Sequence, residues 1–318
     1  MKSFLFPGQG SQSIGMGKDI YDQFESVKKI YQQANKILSF DIADISFNGP
    51  EETLNQTQYT QPALYVHSYA MAVLLQEHNI RPDLVAGHSL GEYTALAIAN
   101  VVSFETGLNL VKKRGELMQH AGDLNPGSMA AIIGLDFNTL KSLCQKVEAD
   151  TNEIVRIANY NSPSQVVVSG TVEGIKQIMT RAKTEGAKRV IELKVSGAFH
   201  SPLMQSAAEE FISVLDSVEF AKPDIPVFSN SSGSDSMNPL VLRDNLKKQI
   251  THSVLWVHII EEMLRQGVVQ FYEIGSGSVL TGLMRKINRE VECASLNDLE
   301  TLYKMEIFHN RGTGSAYQ

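Results

Sequence analysis

Among 318 residues there are only two cysteines and one tryptophan, and the shortage of certain features removes whole classes of protein. Cys144 and Cys293 cannot build a disulfide framework and have no metal-ligand spacing, so both read as core residues of a chain kept in a reducing, cytoplasmic compartment, and no metal is expected. Basic charge is also short: 28 Lys and Arg stand against 35 Asp and Glu, a net charge of -7, which argues against a nucleic-acid partner because phosphate neutralisation needs a basic face. No apolar run reaches the length of a membrane span, and even the stretch from Leu64 to Leu75 is interrupted by His67 and Ser68. The opening residues, broken at Pro7 and Gly8, read as a buried strand entering a glycine loop rather than as a signal peptide. Internal repeats and low-complexity tracts are missing too. With 43% hydrophobic and 20% charged residues, the remaining class is a soluble globular protein, long enough for one large domain with an insert or for two domains.

Strand-like and helix-like segments alternate through the first third: Phe4-Leu5-Phe6, a helix near Ile20 to Leu38, another near Ala63 to His78, and a strand at Leu84-Val85-Ala86. That alternation predicts an α/β core with a mainly parallel sheet. Helices are expected over Leu90 to Ala99 and Ser103 to His120. Beyond Asn125-Pro126-Gly127 the order becomes strand, helix, strand, strand, helix, strand (129–133, 137–147, 154–159, 165–169, 172–185, 189–193), the order of a ferredoxin-like unit. The expected organisation is a catalytic domain of residues 1–125 and 198–305, an inserted subdomain of residues 126–197, and a disordered tail at 306–318. A helix from about Pro202 to Leu215, a strand at Val227 to Ser229 and a helix over Trp256 to Gln266 complete the larger part.

Gly87-His88-Ser89-Leu90-Gly91 carries the most chemical information. A G-x-S-x-G run between a strand and a helix reads as a nucleophile elbow: two glycines permit a tight turn, and the serine is presented at the positive end of the helix. The Leu90 N–H, free in the first helical turn, can point at an oxyanion, and Gln9 N–H in the loop Pro7 to Gln12 is the candidate second donor. A serine needs a base. Of eight histidines, His67, His78, His120 and His258 lie within helical stretches and read as surface or satisfied core residues. His88 reads as a brace inside the elbow, and His252 and His309 have no special context. His200, in the turn Gly197 to Pro202 between a strand and a helix, stands where an α/β core offers residues at the carboxyl ends of its strands; the residues alone leave it either base or ordinary turn histidine. In the run Lys112-Lys113-Arg114, one cation can face inward while the others form a solvated face. A buried arginine is expensive unless paired with a carboxylate, so Arg114 would select acyl groups with a free acid. The run Gly275 to Gly282 lacks the ending of a phosphate-binding loop and reads as a pocket wall.

Taken in order, Gly8-Gln9-Gly10-Ser11-Gln12, Gly87 to Glu92, Arg114 to Met118, Asn159 to Pro163, Ala198 to Ser201 and Leu280 to Leu283 resemble the malonyl-CoA:acyl-carrier-protein transacylase family from about residue 2 to about residue 300. The texture of Phe104 to Gly107 and Val111 to Arg114 is similar to the discrete, trans-acting acyltransferases of modular polyketide synthases. The resemblance implies an α/β-hydrolase-like domain with a ferredoxin-like subdomain and an active site between them. It makes Ser89 the nucleophile, His200 the general base and acid, Leu90 and Gln9 the oxyanion hole, Arg114 the malonyl-carboxylate clamp and Gln249 the residue that orients the histidine through a carbonyl. Met118 falls in the same substrate pocket. Phe199 and Leu90 match the malonyl-preferring pattern, whereas methylmalonyl-preferring relatives carry a serine near the first and a glutamine at the second. The implied partners are malonyl-CoA and an acyl carrier protein, in fatty acid, polyketide or antibiotic biosynthesis, with no cofactor beyond the phosphopantetheine arm that the acceptor carries. A monomer is expected, with Lys188, Arg189, Arg285 and Lys286 as a local basic patch for an acidic carrier. The alternative is an acyl-carrier-protein thioesterase; its histidine would need an Asp or Glu between serine and histidine in chain order, and Asp136 and Asp150, which lie there, both map to the insert.

Overall fold

A computed structural model describes residues 1–305, so the disordered tail expected at 306–318 lies outside the described residues. Ten strands form among the described residues: β1 (Lys2–Phe6) and β2 (Leu84–Gly87), then β3 (Gly127–Ile133), β4 (Val155–Ser162), β5 (Gln165–Thr171) and β6 (Arg189–Glu192), then β7 (Val227–Phe228), β8 (Asp235–Ser236), β9 (Gln270–Ile274) and β10 (Glu292–Leu296). They make two sheets. The first has the order β10-β9-β1-β2-β7-β8, with every pairing parallel except the edge hairpin β7–β8. Along β1, Phe4 and Phe6 join one buried cluster while Leu5 joins another, and Val85 parts from Leu84 and Ala86 in the same way. Both faces are covered, which is why these strands read as unbroken apolar runs.

The second sheet has the order β4-β5-β3-β6, wholly antiparallel, with helices Phe137–Thr151 and Val172–Thr184 and a core of its own. That is the ferredoxin-like order, so the fold is the expected α/β-hydrolase-like sheet carrying a ferredoxin-like unit.

Some elements differ from the sequence expectation. The helix read over Ile20 to Leu38 is two, Lys18–Gln23 and Glu25–Leu38, because Phe24 adopts an extended conformation between them. The helix read from Ala63 begins at Thr57 and runs through Pro62. Proline forfeits one helical hydrogen bond, but burial of Thr57, Thr60 and Gln61 keeps the preceding turn helical. Part of the expected loop over Gly275 to Gly282 is helical, since Val279–Ile287 forms a helix whose start caps on the buried Glu273 carboxylate.

Register places the chemistry. Phe6 of β1 lies beside Gly87 of β2 in a parallel pair, so the loop after β1 and the elbow after β2 emerge side by side at the carboxyl ends of the central strands.

Candidate functional site

Ser89 sits between β2 and the helix Gly91–Ile98 with φ of +49°, a left-handed conformation that is uncommon for a residue with a Cβ. Its flanking glycines are required by contact. A Cβ on Gly87 would collide with the Gly91 backbone, and one on Gly91 would collide with the Phe6 carbonyl. The turn is braced by Asn230, whose Oδ1 accepts from the Ser89 N–H at 2.6 Å and whose Nδ2 donates to the Gly87 carbonyl at 2.7 Å. His88 Nε2 meets Asn161 Oδ1 on β4 at 2.8 Å, tying the elbow to the second sheet.

His200 also has a positive φ, +58°, and is buried. Residues held in this region cost about 1–3 kcal/mol each and cluster at functional sites. Its Nδ1 lies 2.9 Å from the Gln249 carbonyl and 3.1 Å from the His252 carbonyl, two acceptors that assign the ring proton to Nδ1. Nε2 is then the bare nitrogen, and it lies 2.9 Å from Ser89 Oγ. Burial first, and the Arg114 charge second, push His200 down to about 3, so the imidazole is neutral and able to accept a proton.

Arg114 projects from the helix Phe104–Leu124, which Ser103 caps by accepting from the Thr106 N–H. It is 1% exposed, while Lys112 and Lys113 are only half-buried. Its Nη1 donates to Gln61 Oε1 at 2.9 Å, and its Nη2 donates to Gln249 Oε1 at 3.0 Å and to Ser89 Oγ at 3.1 Å. The Tyr93 ring lies 5.4 Å from the guanidinium carbon. Among the described residues no carboxylate pairs with Arg114, and its buried Nε has no acceptor. No anion of the protein is therefore in contact with the guanidinium, which leaves room for one from outside.

Gln9, Ser89, Leu90, Arg114, Met118, Phe199 and His200 line one cavity of about 100 Å³, with His88, Met129, Asn159, Leu193 and Val195 closing its sides. Gln249 stands behind it, touching Ser89, Arg114 and His200. A larger cavity of about 300 Å³ shares Gln9, His88, Asn159, Leu193 and Val195 with the first and continues between the two sheets to Gln165 and Lys194. Among the described residues the N–H groups of Gln9 and Leu90 have no hydrogen-bond partner. Gln9 is steadied by Thr57, whose hydroxyl accepts from Gln9 Nε2 at 3.1 Å and meets Ser196 Oγ at 2.8 Å.

Four contributors had no assigned role in the sequence. Gln61, Asn230 and the His252 carbonyl stand in ordinary contexts and gave no signal. Glu92 did give one: it is an acid in the apolar stretch Leu90 to Ala99, and it is 1% exposed in the structure. Burial above all raises it to about 7, against the lowering influence of its hydrogen bonds and of Arg114. Asp136 caps the helix Phe137–Thr151 and Asp150 pairs with Arg181, so neither reaches His200. Among the described residues no three His, Cys, Asp or Glu side chains gather as a metal site, and no helix is long and apolar enough to cross a membrane.

Residues 3–304 match the family model described as an acyl transferase domain. The malonyl CoA-acyl carrier protein transacylase of Bacillus subtilis is 42% identical over 300 residues, 94% of each chain. That of Staphylococcus aureus is 41% identical over 298 residues, 94% of this chain and 96% of its own. Among solved structures, a malonyl-transacylase in complex with a type II polyketide synthase acyl-carrier protein superposes with a TM-score of 0.93 at 38% identity, covering 98% of this chain and 99% of that one. An acyl carrier protein S-malonyltransferase from Vibrio cholerae gives 0.91 at 38% identity over 95% and 99%. With identity at this level along nearly its whole length, and with a serine, a neutral imidazole and an unpaired buried guanidinium meeting in one cavity, the chain belongs to the malonyl-CoA:acyl-carrier-protein transacylase family.

Proposed function

We propose that this protein moves a malonyl group from malonyl-CoA to the phosphopantetheine thiol of an acyl carrier protein, through an ester on Ser89. One observation carries the reading: Ser89 Oγ lies 2.9 Å from His200 Nε2 and 3.1 Å from Arg114 Nη2, a nucleophile set between its base and a cation with no anionic partner.

The cycle follows from that geometry. Ser89 Oγ attacks the thioester carbonyl while His200 Nε2 takes the hydroxyl proton, and the resulting oxyanion is met by the free N–H groups of Gln9 and Leu90. Collapse expels CoA with the proton returned from His200, leaving malonyl-Ser89. The carrier thiol then gives its proton to His200 and attacks the ester; collapse breaks the bond to Ser89 Oγ, which takes the proton back from His200 Nε2, and the carrier leaves as the malonyl thioester. Arg114 holds the acid of the acyl group by a charge-assisted pair throughout. Donor and acceptor bear the same pantetheine arm, so the outer cavity can serve both in ping-pong order. Nucleophile, base, donors and cation are all protein groups, and the reaction as written calls on no cofactor. Phe199 and Leu90 both line the inner cavity and are the pair that the family pattern links to malonyl rather than branched acyl groups.

Four exposed cations offer a landing place for an acidic carrier. Lys188 and Arg189 flank the edge at Ile133, Ile133 pairs with Gln165, and Lys286 beside Arg285 reaches Gln165 Oε1 at 2.6 Å, at the rim of the outer cavity. Free Cys144 and Cys293 fit a reducing cytoplasm, and a monomer is expected. The thioesterase reading finds no carboxylate on His200, whose Nδ1 faces two backbone carbonyls.

Intact-mass analysis after mixing with a panel of acyl-CoAs tests the proposal. A malonyl adduct on the wild type, absent from Ser89→Ala and dischargeable by a carrier protein, is the expected result; labelling of Ser89→Ala, or release of free malonate in place of malonyl-carrier, overturns it.

A further inference from the structure

Glu92 lies in the first turn of the helix that follows Ser89, with its side chain fully inside the protein. Its Oε2 accepts from Gln249 Nε2 at 2.6 Å and from the Asn230 backbone N–H at 3.1 Å. Gln249 Nε2 also donates to the Ser89 carbonyl at 2.9 Å, and its Oε1 accepts from Arg114 Nη2. The two ends of this amide are therefore not interchangeable. Turned over, its oxygen would face the Glu92 carboxylate and the Ser89 carbonyl, while its NH2 would face the guanidinium, opposing like partners on both sides. Carboxylate, amide and guanidinium thus form one line, with the amide interposed between the two charges.

The interposition matters chemically. A carboxylate set directly on Arg114 would occupy the donors that an acidic acyl group must use. A carboxylate one amide away still compensates the buried cation, because Coulomb attraction persists over that distance in a dry interior, and it leaves the guanidinium open. We propose that Glu92 is a positioning residue for acyl selection: through Gln249 it aims Arg114 into the chamber and serves as its remote counter-charge. This rests on the malonyl-transfer reading above.

The test measures, at pH 8 where Glu92 is ionised, single-turnover acyl-Ser89 formation from malonyl-CoA and acetyl-CoA in wild type, Glu92→Gln, Arg114→Ala and the double variant. Glu92→Gln keeps size and an acceptor oxygen but loses the charge, and its malonyl-to-acetyl preference should fall at least fivefold. On the Arg114→Ala background the same change should leave the preference within twofold, because the residue through which it acts is gone. A part that merely holds the elbow would lower both acylation rates together and leave their ratio where it was. An unchanged ratio in Glu92→Gln, or an equal fall with and without Arg114, overturns the assignment. If Glu92→Gln does not fold, Glu92→Asp, which retains the charge, must keep the wild-type ratio, and a fivefold loss there also overturns it. Failure of wild type to form malonyl-Ser89 sinks the parent reading, whereas a normal wild type with indifferent Glu92 variants sinks this inference alone.

Discussion

Replacing Arg114 by alanine isolates the selection of the acyl group. In wild type the guanidinium is 1% exposed and spends its Nη donors on Gln61, Gln249 and Ser89, all neutral. An incoming malonyl carboxylate would exchange water for this cation inside a cavity of about 100 Å³. Removing the cation leaves that carboxylate buried without its partner, a loss of about 3–5 kcal/mol. At about 1.36 kcal/mol per decade, malonylation should slow by roughly two to three and a half orders of magnitude. The acetyl group carries no charge, so its transfer forgoes only secondary effects: the amide oxygens of Gln61 and Gln249 lose a donor, and Ser89 Oγ loses one neighbour. Acetylation should change by less than about tenfold, inverting the preference. Rapid-quench acylation followed by intact-mass readout measures both rates on one preparation. Malonylation within threefold of wild type, or an equal decline for both thioesters, would refute the clamp.

Gly91→Ala should abolish soluble folded protein, because its Cβ would collide with the Phe6 carbonyl where β1 meets the elbow; a cooperative melt near wild type would contradict this. Reversing the charge at Lys188, Arg189, Arg285 and Lys286 together should lower the carrier transfer rate at least tenfold at low salt and converge with wild type at high salt; unchanged carrier kinetics at low salt dismiss the patch. Stability should depend on pH with opposite signs at two residues. His200 falls from 6.5 to about 3 on folding, so its contribution, on the order of 5 kcal/mol, is present above pH 6.5 and lost as pH falls toward 3. Glu92 rises from 4.5 to about 7, so the protein gains up to about 3 kcal/mol as pH falls from above 7 to 4.5. Glu92→Gln should accordingly melt higher than wild type at pH 8 and no higher at pH 4.5, as read by calorimetry.

The elbow was legible because its determinants are local: two glycines, a serine and a helix start within five residues. The ferredoxin-like unit was legible because its two helices have a clear period and a tight turn at Asn161 to Ser164 separates the two strands between them. Less could be read where structure depends on distant partners. Asn230 and Gln249 reach Ser89 from 141 and 160 residues away; nothing near Asn230 marks it, and Gln249 was read only through the family resemblance. The helix Pro239–Gln249 has only Leu242, Leu246 and Gln249 buried, too thin a stripe to stand out, yet it delivers the amide that links nucleophile, base and cation. The strand β9 and the helix after it take their places from pairing with β1 and from the Glu273 cap, neither of which leaves a periodic trace. Pro62 concealed the helical turn that brings Gln61 to Arg114.

Two backbone carbonyls, those of Gln249 and His252, steer the imidazole. Neutral dipoles fix a ring as firmly as a carboxylate does, but they do less to stabilise the charge it acquires, and a guanidinium close by discourages that charge further. The outcome is a reluctant proton acceptor. Thiols, with pKa values near 8.5, surrender a proton to such a group far more readily than water does. In the proposed cycle, an ester on Ser89 would therefore pass to a carrier thiol faster than to water.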